Sequence, residues 1–363
     1  MMKRERNYGI DLLRLVSMLY VVLLHTLGQG GVLEGAANGS ASYRTAWFLE
    51  IWAYCAVDIF ALISGYVGYT EEPKRFRYSS CLLLWLQVVF YNAAVTAFML
   101  YYRPEAVPKG QLLKCFFPVF TGQYWYLTAY AALVLCIPLM NHMLRGVDRK
   151  TTVLLFWVFF LVFSVTESYA KLFEFKKGYS AAWVILLYVM GGMLKKAGML
   201  EKIRIYLAVP GIIVLAGAAL LWKLSGKGFM ILDVKAGADW LVCYTSPTVL
   251  GAAILHLALF EKLRLREGQR KLIRFLAPGA FAVYILNCQY FVWRLVMKER
   301  FAALSEASPL RIAVGSVGFS LLFVFASVML DAGRRGLFRL LRIPWLAEKA
   351  EEQCRKRFEK TAA

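Results

Sequence analysis

The sequence predicts an all-α, polytopic membrane protein with about ten transmembrane helices and both termini in the cytoplasm. Hydrophobic residues make up 60% of the 363-residue chain, whose mean hydropathy is +0.55. Apolar runs long enough to cross about 30 Å of hydrocarbon recur along the whole sequence. Most of the 43 lysines and arginines fall in the loops that share a side with the N-terminus. Basic residues in short loops are retained on the cytoplasmic side, so this bias sets the orientation.

The predicted spans follow one another through short loops, none long enough for a soluble domain. We therefore predict a transmembrane domain over 1–333 and a basic cytoplasmic tail over 334–363, lying on the membrane surface as an amphipathic helix. The first span follows the sequence KRER, as in a secretory signal, but it contains Arg14 and no small-residue cleavage site follows, so we expect it to be retained. In chain order the spans are 9–27, 47–69, 80–101, 124–143, 152–170, 181–196, 205–222, 240–260, 278–297 and 309–330.

The formal net charge of +20 does not indicate a nucleic-acid partner. The cations are spread over many loops on one side instead of forming one basic surface, so membrane topology and anionic lipid account for most of them. The seven cysteines show no CxxC spacing, and the three histidines form no HExxH-type cluster. We expect no metal site, and the lipid bilayer is the predicted surrounding of the chain.

Two basic residues lie inside the first predicted span, Arg14 and His25. On a helix, eleven positions correspond to about 20° in direction and about 16 Å in height, so both lie on one stripe at different depths. An ionisable group in hydrocarbon costs at least a few kcal/mol, which makes both residues functional candidates. The structural alternative is that Arg14 pairs with Asp11 or Asp58 only to hold helices together.

The sequence around this pair resembles the first helix of the acyltransferase family 3 membrane proteins. The segment GIDLLRLVSMLYVVLLH has the family's basic residue, ten further residues and histidine, with Asp11 at the position of a preceding aspartate. The second span, AVDIFALISGYVGY, resembles the family's Asp-x-Phe-Phe-x-x-Ser-Gly-Tyr stretch through Asp58, Ser64 and Tyr66. The resemblance continues to about residue 330 through QYWYLTAYAALVLCIPLM, YVMGGMLKK and LAPGAFAVYILNCQYFVW.

The resemblance implies an O-acyltransferase of the bacterial cytoplasmic membrane. Such an enzyme moves an acyl group, most often acetyl, from acetyl-CoA or another acyl-CoA to a hydroxyl of an envelope glycan or similar acceptor. Imidazole titrates near neutral pH, so His25 is the predicted base or transient acyl carrier. Arg14 is predicted to hold a donor phosphate or stabilise developing negative charge, and one of the two acids of the second span, Asp58 or Glu50, to orient His25 or compensate Arg14. Donor would enter from the cytoplasm and acceptor from outside; a separate partner protein is compatible with this scheme.

A basic run follows the second span, where the family often has two arginines separated by two residues. Lys74 and Arg77 meet that spacing, with Arg75 between them. We predict that all three hold the phosphates of acyl-CoA at the cytoplasmic mouth. Topology anchoring is the simpler alternative for such a run.

Two positions depart from the family pattern. Gln123 and Asn287 stand where many members carry histidine. Amides form hydrogen bonds but carry no proton at neutral pH, so we expect them to position a substrate and not to act as acids or bases. The alternatives are a close helix contact at Ser64 to Tyr66 and a membrane-interface aromatic role for Trp125. The predicted substrate-binding residues are Glu50, Ser64, Tyr66, Gln123, Trp125 and Asn287.

A transporter or flippase of an envelope precursor or small solute is the alternative function. In that case Arg14 and His25 would serve as substrate or proton-relay sites. The two functions differ in their chemistry, because a transporter binds its solute without consuming acyl-CoA, whereas a transferase releases free thiol when an acceptor is present.

Overall fold

A computed structural model of the chain describes residues 6–73, 77–231 and 233–362. These residues form helices and one small antiparallel hairpin, β1 (Phe229–Ile231) and β2 (Val234–Ala236). Two π-helical stretches, Leu161–Thr166 and Trp293–Met297, and four 3₁₀ turns, Pro104–Ala106, Lys176–Gly178, Ala277–Gly279 and Ala302–Glu306, connect longer helices. The α-helices are α1 Tyr8–Leu27, α2 Val32–Gly35, α3 Ala41–Ala53, α4 Ala56–Gly68, α5 Tyr78–Tyr102, α6 Gln111–Lys114, α7 Trp125–Gly146, α8 Arg149–Phe160, α9 Glu167–Ala170, α10 Ala181–Lys196, α11 Met199–Lys202, α12 Ile205–Ser225, α13 Pro247–Glu261, α14 Glu267–Leu276, α15 Ala280–Asn287, α16 Tyr290–Val292, α17 Pro309–Leu340 and α18 Ile343–Ala362.

The described residues contain seven helical segments that are long and apolar enough to cross a membrane. A further pair, Glu267–Asn287 and Tyr290–Glu306, is bent by 60° and makes an eighth if counted as one span. The helical, multi-pass architecture is confirmed, but the predicted number of about ten spans is not. The seven segments are Tyr8–Leu27, Ala41–Gly68, Tyr78–Tyr102, Trp125–Gly146, Arg149–Ala170, Ile205–Ser225 and Pro309–Leu340.

The difference in count comes from short and broken helices. The predicted spans 181–196 and 240–260 correspond to α10, with 16 residues, and α13, with 15. Both are shorter than the roughly 20 residues that a straight crossing requires. The predicted span 278–297 is interrupted after α15, where the Gln289 side chain caps α16 by accepting from the backbone N–H of Phe291 at 2.7 Å.

The start of α1 and the end of α17 lie at the same end of the helix bundle. The Arg274 guanidinium of α14 donates to the Tyr8 hydroxyl at 2.5 Å, and Arg335 of α17 donates to the carbonyl of Phe275 at 3.1 Å. Both ends of the transmembrane domain are therefore close together. The side of the membrane that they face stays a prediction.

At the centre of the bundle, α4 packs directly against α10. A Cβ atom at Gly65 would overlap the Tyr188 carbonyl group, and one at Gly191 would overlap the carbonyl oxygen of Leu62. Only glycine allows the two backbones to approach this closely. The same helix α4 also contacts α1 and α13, so it fixes the relative positions of the helices that carry the site.

A buried carboxylate joins α5 to the end of α17. Asp331 is fully buried and accepts from the Gln87 amide and the Tyr91 hydroxyl, each at 3.0 Å. Its charge is balanced by Arg334 at 2.8 Å and Arg335 at 3.0 Å. The helix α17 continues through the predicted boundary at 333 to Leu340, and α18 follows in the tail segment.

The side-chain amide of Asn7 links the start of α1 to the end of α13 through both its oxygen and its nitrogen. Its Oδ1 accepts from the Ile10 backbone N–H at 3.1 Å, and its Nδ2 donates to the Glu261 carbonyl at 2.8 Å. We expect Asn7→Ala to lower the free energy of unfolding by about 1–2 kcal/mol, because a helix cap and an interhelical hydrogen bond are both lost. Asn7→Asp keeps the cap alone and should fall between the two in a denaturation experiment in detergent; equal stability of all three would contradict this role.

Candidate active site

A cavity of about 220 Å³ lies where α1 ends and where α7, α10 and α13 begin. His25 reaches it from the last turn of α1, Glu50 from α3 and Trp125 from the first residue of α7. The structure thus brings together three of the predicted site residues at one end of the bundle. The lining residues are Met18, Val21, Leu24, His25, Gly28, Gln29, Glu50, Tyr54, Ala56, Val57, Phe60, Trp125, Tyr126, Tyr179, Tyr244, Phe281, Tyr284 and Trp293.

The His25 imidazole is oriented by Asn287, which is fully buried at the end of α15. The ring Nδ1 and the amide Oδ1 of Asn287 form a short hydrogen bond. An amide oxygen can only accept, so Nδ1 carries the proton of this bond and the neutral ring keeps its lone pair on Nε2. Trp293 packs edge-on against the ring, with 4.8 Å between centroids, and the Asn287 Nδ2 is directed at the Met297 sulfur at 3.6 Å.

Glu50 places a carboxylate in the same cavity. The residue is only 8% exposed, and its Oε2 has no hydrogen-bond partner in the described part of the chain. Helix α3 ends three residues later, and Tyr54 at its C-cap turns the chain into α4. A buried acceptor without a partner is costly unless a bound group supplies the donor, which suits a hydroxyl-bearing ligand.

Four aromatic rings form one wall of the cavity. The ring centroids are 4.8 Å apart for Trp125 and Tyr179, 4.9 Å for Tyr179 and Tyr244, and 4.8 Å for Tyr244 and Tyr54. Gly178, at φ +97°, allows the turn before α10 to pack on Tyr244, because a Cβ there would overlap the Tyr244 Cβ. The wall combines apolar faces with hydroxyl groups, the combination that binds amphipathic molecules such as sugars.

Two further tyrosines line the cavity, Tyr126 and Tyr284, and the Tyr126 hydroxyl has no hydrogen-bond partner among the described residues. Tyr126 is 6% exposed and Tyr284 is 5% exposed. Asp58 lies outside the cavity lining, fully buried, where its Oδ1 accepts from the Trp183 indole at 3.1 Å. Its predicted roles, orienting His25 or compensating Arg14, stay predictions, since neither residue is among its hydrogen-bond partners in the described chain.

Arg14 lies nearer the other end of α1 and pairs with Asp11, one of the two carboxylates considered from the sequence. Its Nη1 donates to Asp11 Oδ1 at 2.6 Å, and Arg6 donates to the other oxygen at 2.5 Å. The guanidinium does not line the His25 cavity. About 16 Å along the axis of α1 separates Arg14 from His25, so the two residues lie at different depths of the helix bundle.

Ser64 on α4 and Tyr130 on α7 each lie one helical turn from a lining residue of the cavity. The Tyr130 ring of α7 stacks on Tyr126 with 6.1 Å between centroids. Ser64 itself donates to the Phe60 carbonyl at 2.9 Å. The predicted substrate residue Ser64 lies outside the cavity lining, one turn of α4 beyond the lining residue Phe60.

The remaining predicted residues lie around this core. The amide of Gln123 donates to the Cys288 carbonyl at 3.4 Å, one residue beyond Asn287. The Tyr66 ring lies 5.7 Å from the Lys195 ammonium, next to the close α4–α10 contact at Gly65. The close helix contact that the sequence offered as an alternative for Ser64 to Tyr66 is therefore present, at Gly65.

The basic run after α4 is only partly described. Lys74 and Arg75 lie outside the described residues. Arg77 is exposed and forms a salt bridge of 2.6 Å with Glu348 of α18. Its predicted role in holding donor phosphates stays a prediction.

Sequence reasoning missed Tyr179, Tyr244 and Trp293 in this site. Tyr179 and Tyr244 come from loops and turns far apart in the chain and belong to no recognisable motif. Trp293 begins a π-helical stretch and ends the family-like segment LAPGAFAVYILNCQYFVW, in which no feature marks it as a site residue. A weak signal existed in aromatic residues that directly precede or follow apolar spans, but the same signal marks ordinary membrane-interface residues.

Comparison with known proteins assigns the family. The acyltransferase-domain family model Acyl_transf_3 matches residues 7–338, nearly the whole chain. No curated protein and no solved structure matches the chain. The match covers both the His25–Asn287 pair and the Arg14 region, and it confirms the resemblance drawn from the first two spans. The chain belongs to the acyltransferase family defined by the Acyl_transf_3 domain.

Proposed function

We propose that this membrane acyltransferase moves an acyl group, acetyl in the first instance, from acyl-CoA to a hydroxyl of a cell-envelope carbohydrate or related acceptor in the bacterial cytoplasmic membrane. The observation that carries the proposal is the His25–Asn287 pair, which leaves the His25 Nε2 lone pair free beside an aromatic-walled cavity. A hydroxyl is a poor nucleophile until a base takes its proton, and an oriented imidazole is suited to that task.

The proposed reaction is a direct transfer. His25 Nε2 takes the acceptor's hydroxyl proton as the oxygen attacks the thioester carbonyl carbon. A C–O bond forms and the carbonyl oxygen becomes negative, and in our proposal the Tyr126 hydroxyl donates a hydrogen bond to it. The C–S bond then breaks, the sulfur leaves with the electron pair, and it recovers the proton from Nε2. The Glu50 carboxyl group accepts a hydrogen bond from a second hydroxyl of the acceptor substrate and so fixes the orientation of that substrate.

The two reactants would approach from opposite ends. Arg14 and the cavity are separated along α1 by about 16 Å, close to the length of an extended phosphopantetheine arm. In our proposal Arg14 binds a donor phosphate on the cytoplasmic side and the acyl group reaches His25. The acceptor enters the cavity from the other side.

The test is acceptor-dependent thiol release by purified protein in proteoliposomes. With acetyl-CoA and an envelope extract, free thiol should appear together with labelled acetyl groups in the glycan fraction. Without extract, thiol release should stay near the background hydrolysis rate. Solute uptake without thiol release from any acyl donor tested would contradict the transferase proposal and favour the alternative function as a transporter.

Trp125 provides a test of the aromatic wall. We expect Trp125→Ala to raise the KM for the acceptor about tenfold, because losing a stacking surface costs about 1.4 kcal/mol, while the KM for acetyl-CoA stays unchanged. The matched control is Trp157→Ala, which removes an indole that is half exposed on α8, away from the cavity. A rise in the donor KM instead would assign Trp125 to the donor.

A further inference from the structure

A second cleft, of about 530 Å³, lies at the end of the bundle opposite the His25 cavity. It is formed where the start of α1 meets the end of α13 and the loop that leads into α14. Its aliphatic lining is confined to Leu263 and Leu265. The remaining lining residues are polar or charged, namely Arg6, Asn7, Tyr8, Glu261, Lys262, Arg264 and Arg270.

The cleft carries an excess of positive charge that the described residues do not neutralise. Against four cations stands one lining acid, Glu261. The Lys262 ammonium donates to two backbone carbonyl oxygens, at 3.0 Å and 2.5 Å, and the Arg270 guanidinium to the Leu265 carbonyl at 2.9 Å. Within the described part of the chain, Arg6 alone of the four has a carboxylate partner, Asp11. An anion in this cleft would therefore meet two cations, Lys262 and Arg270, that backbone carbonyls hold in place and that have no carboxylate partner among the described residues.

Three guanidinium groups lie around the Tyr8 ring beside the cleft. Arg6, Arg270 and Arg274 lie 5.5, 6.0 and 5.6 Å from its ring centroid, and Arg274 also donates to the hydroxyl. Cation–π attraction to one ring offsets their mutual repulsion only in part. Such an arrangement fits a ligand that brings several negative charges next to a planar group.

The cleft is preformed. Asn7 bonds both the first turn of α1 and the Glu261 carbonyl, and a Cβ at Gly9 would overlap the carbonyl oxygen of Phe260. The two helix ends are thus fixed against each other at backbone distance. A ligand would not have to order these walls, so little of its binding free energy is lost to conformational entropy.

We propose that this cleft binds the 3′-phospho-AMP part of the acyl-CoA donor, an inference that rests on the proposed function. A lipid headgroup brings a single phosphate attached to long acyl chains, which the sparse aliphatic lining does not match. The nucleotide brings a planar base and phosphates at two separate positions. The ion-pair series Arg6, Asp11 and Arg14 leads from the cleft along α1 towards His25, in the direction that the pantetheine arm would take.

The kinetic test compares two donors that differ only in the nucleotide, acetyl-CoA and acetyl-4′-phosphopantetheine. For Arg264→Glu/Arg270→Glu, we expect the KM for acetyl-CoA to rise tenfold or more and the kinetics with acetyl-4′-phosphopantetheine to stay unchanged. The matched control is Arg339→Glu, which reverses a charge in another basic cleft, between α5 and α17. Equal effects of the double variant on both donors would overturn the proposal.

A binding test is independent of turnover. Adenosine 3′,5′-bisphosphate is titrated by calorimetry into the full chain in nanodiscs of uncharged lipid. Saturable binding that the double variant loses and Arg339→Glu keeps supports the cleft, even if the acyl-transfer assay fails. Undiminished binding by the double variant, or binding by neither protein, overturns it. If the double variant does not fold, Arg264→Gln in the same titration gives the answer.

Discussion

Replacement of His25 by alanine should lower kcat for acyl transfer by a factor of about 10²–10⁴, the range that a lost general base produces. The imidazole Nε2 is the group placed at the cavity with a free lone pair, while Nδ1 is bonded to Asn287. The substitution removes a half-buried ring at the end of α1 but no backbone hydrogen bond. We therefore expect the unfolding temperature in detergent to change little while acceptor-dependent thiol release falls.

Two controls make this result specific. His142→Ala removes an exposed histidine near the end of α7, away from the cavity, and should leave thiol release unchanged. Binding of acyl-CoA to His25→Ala should persist, because the ring contributes to proton transfer and not to donor affinity. Full activity of His25→Ala would show that another group is the base, and the proposed chemistry would then be wrong.

The site could be predicted from the sequence only where a local pattern carries it. The ten residues between Arg14 and His25 and their position in an apolar helix are visible without a structure, and so is Glu50 in the next span. Asn287 could be assigned a positioning role but not a partner, because 262 residues separate it from His25. Contacts of that range depend on how the helices pack and not on hydrophobic periodicity.

The fold, like the site, could be predicted from the sequence only where a local pattern determines it. Every predicted span contains a helix, because each apolar run must satisfy its backbone hydrogen bonds internally. The breaks at Tyr54–Cys55 and after Asn287 were not predicted, since the apolar composition continues through both. Yet these two breaks carry Tyr54 and Asn287 into the site. Interruptions of a membrane helix are stable where they are buried in protein or line a cavity, so hydropathy is least informative at the positions that form this site.

Asn287 should prove to be a positioning residue whose loss reduces kcat by about two orders of magnitude. Asn287→Leu keeps the approximate volume but removes the acceptor for the His25 Nδ1 proton, so the ring can rotate or hold its proton on Nε2. A base with the wrong tautomer cannot take the acceptor's proton, and a comparable loss of orientation is severe in serine proteases. Asn287→Asp retains an acceptor at the same place and should recover much of the loss.

The kinetic parameters separate this role from a purely structural one. Loss of orientation lowers kcat while leaving the KM for acetyl-CoA unchanged, because the donor does not depend on the His25 tautomer for binding. General damage to α15 would instead lower the unfolding temperature and affect Asn287→Asp at least as strongly as Asn287→Leu, since a buried charge is costlier than an apolar group. The order wild type, Asn287→Asp, Asn287→Leu in kcat therefore supports an oriented base, and the reverse order of the two variants contradicts it.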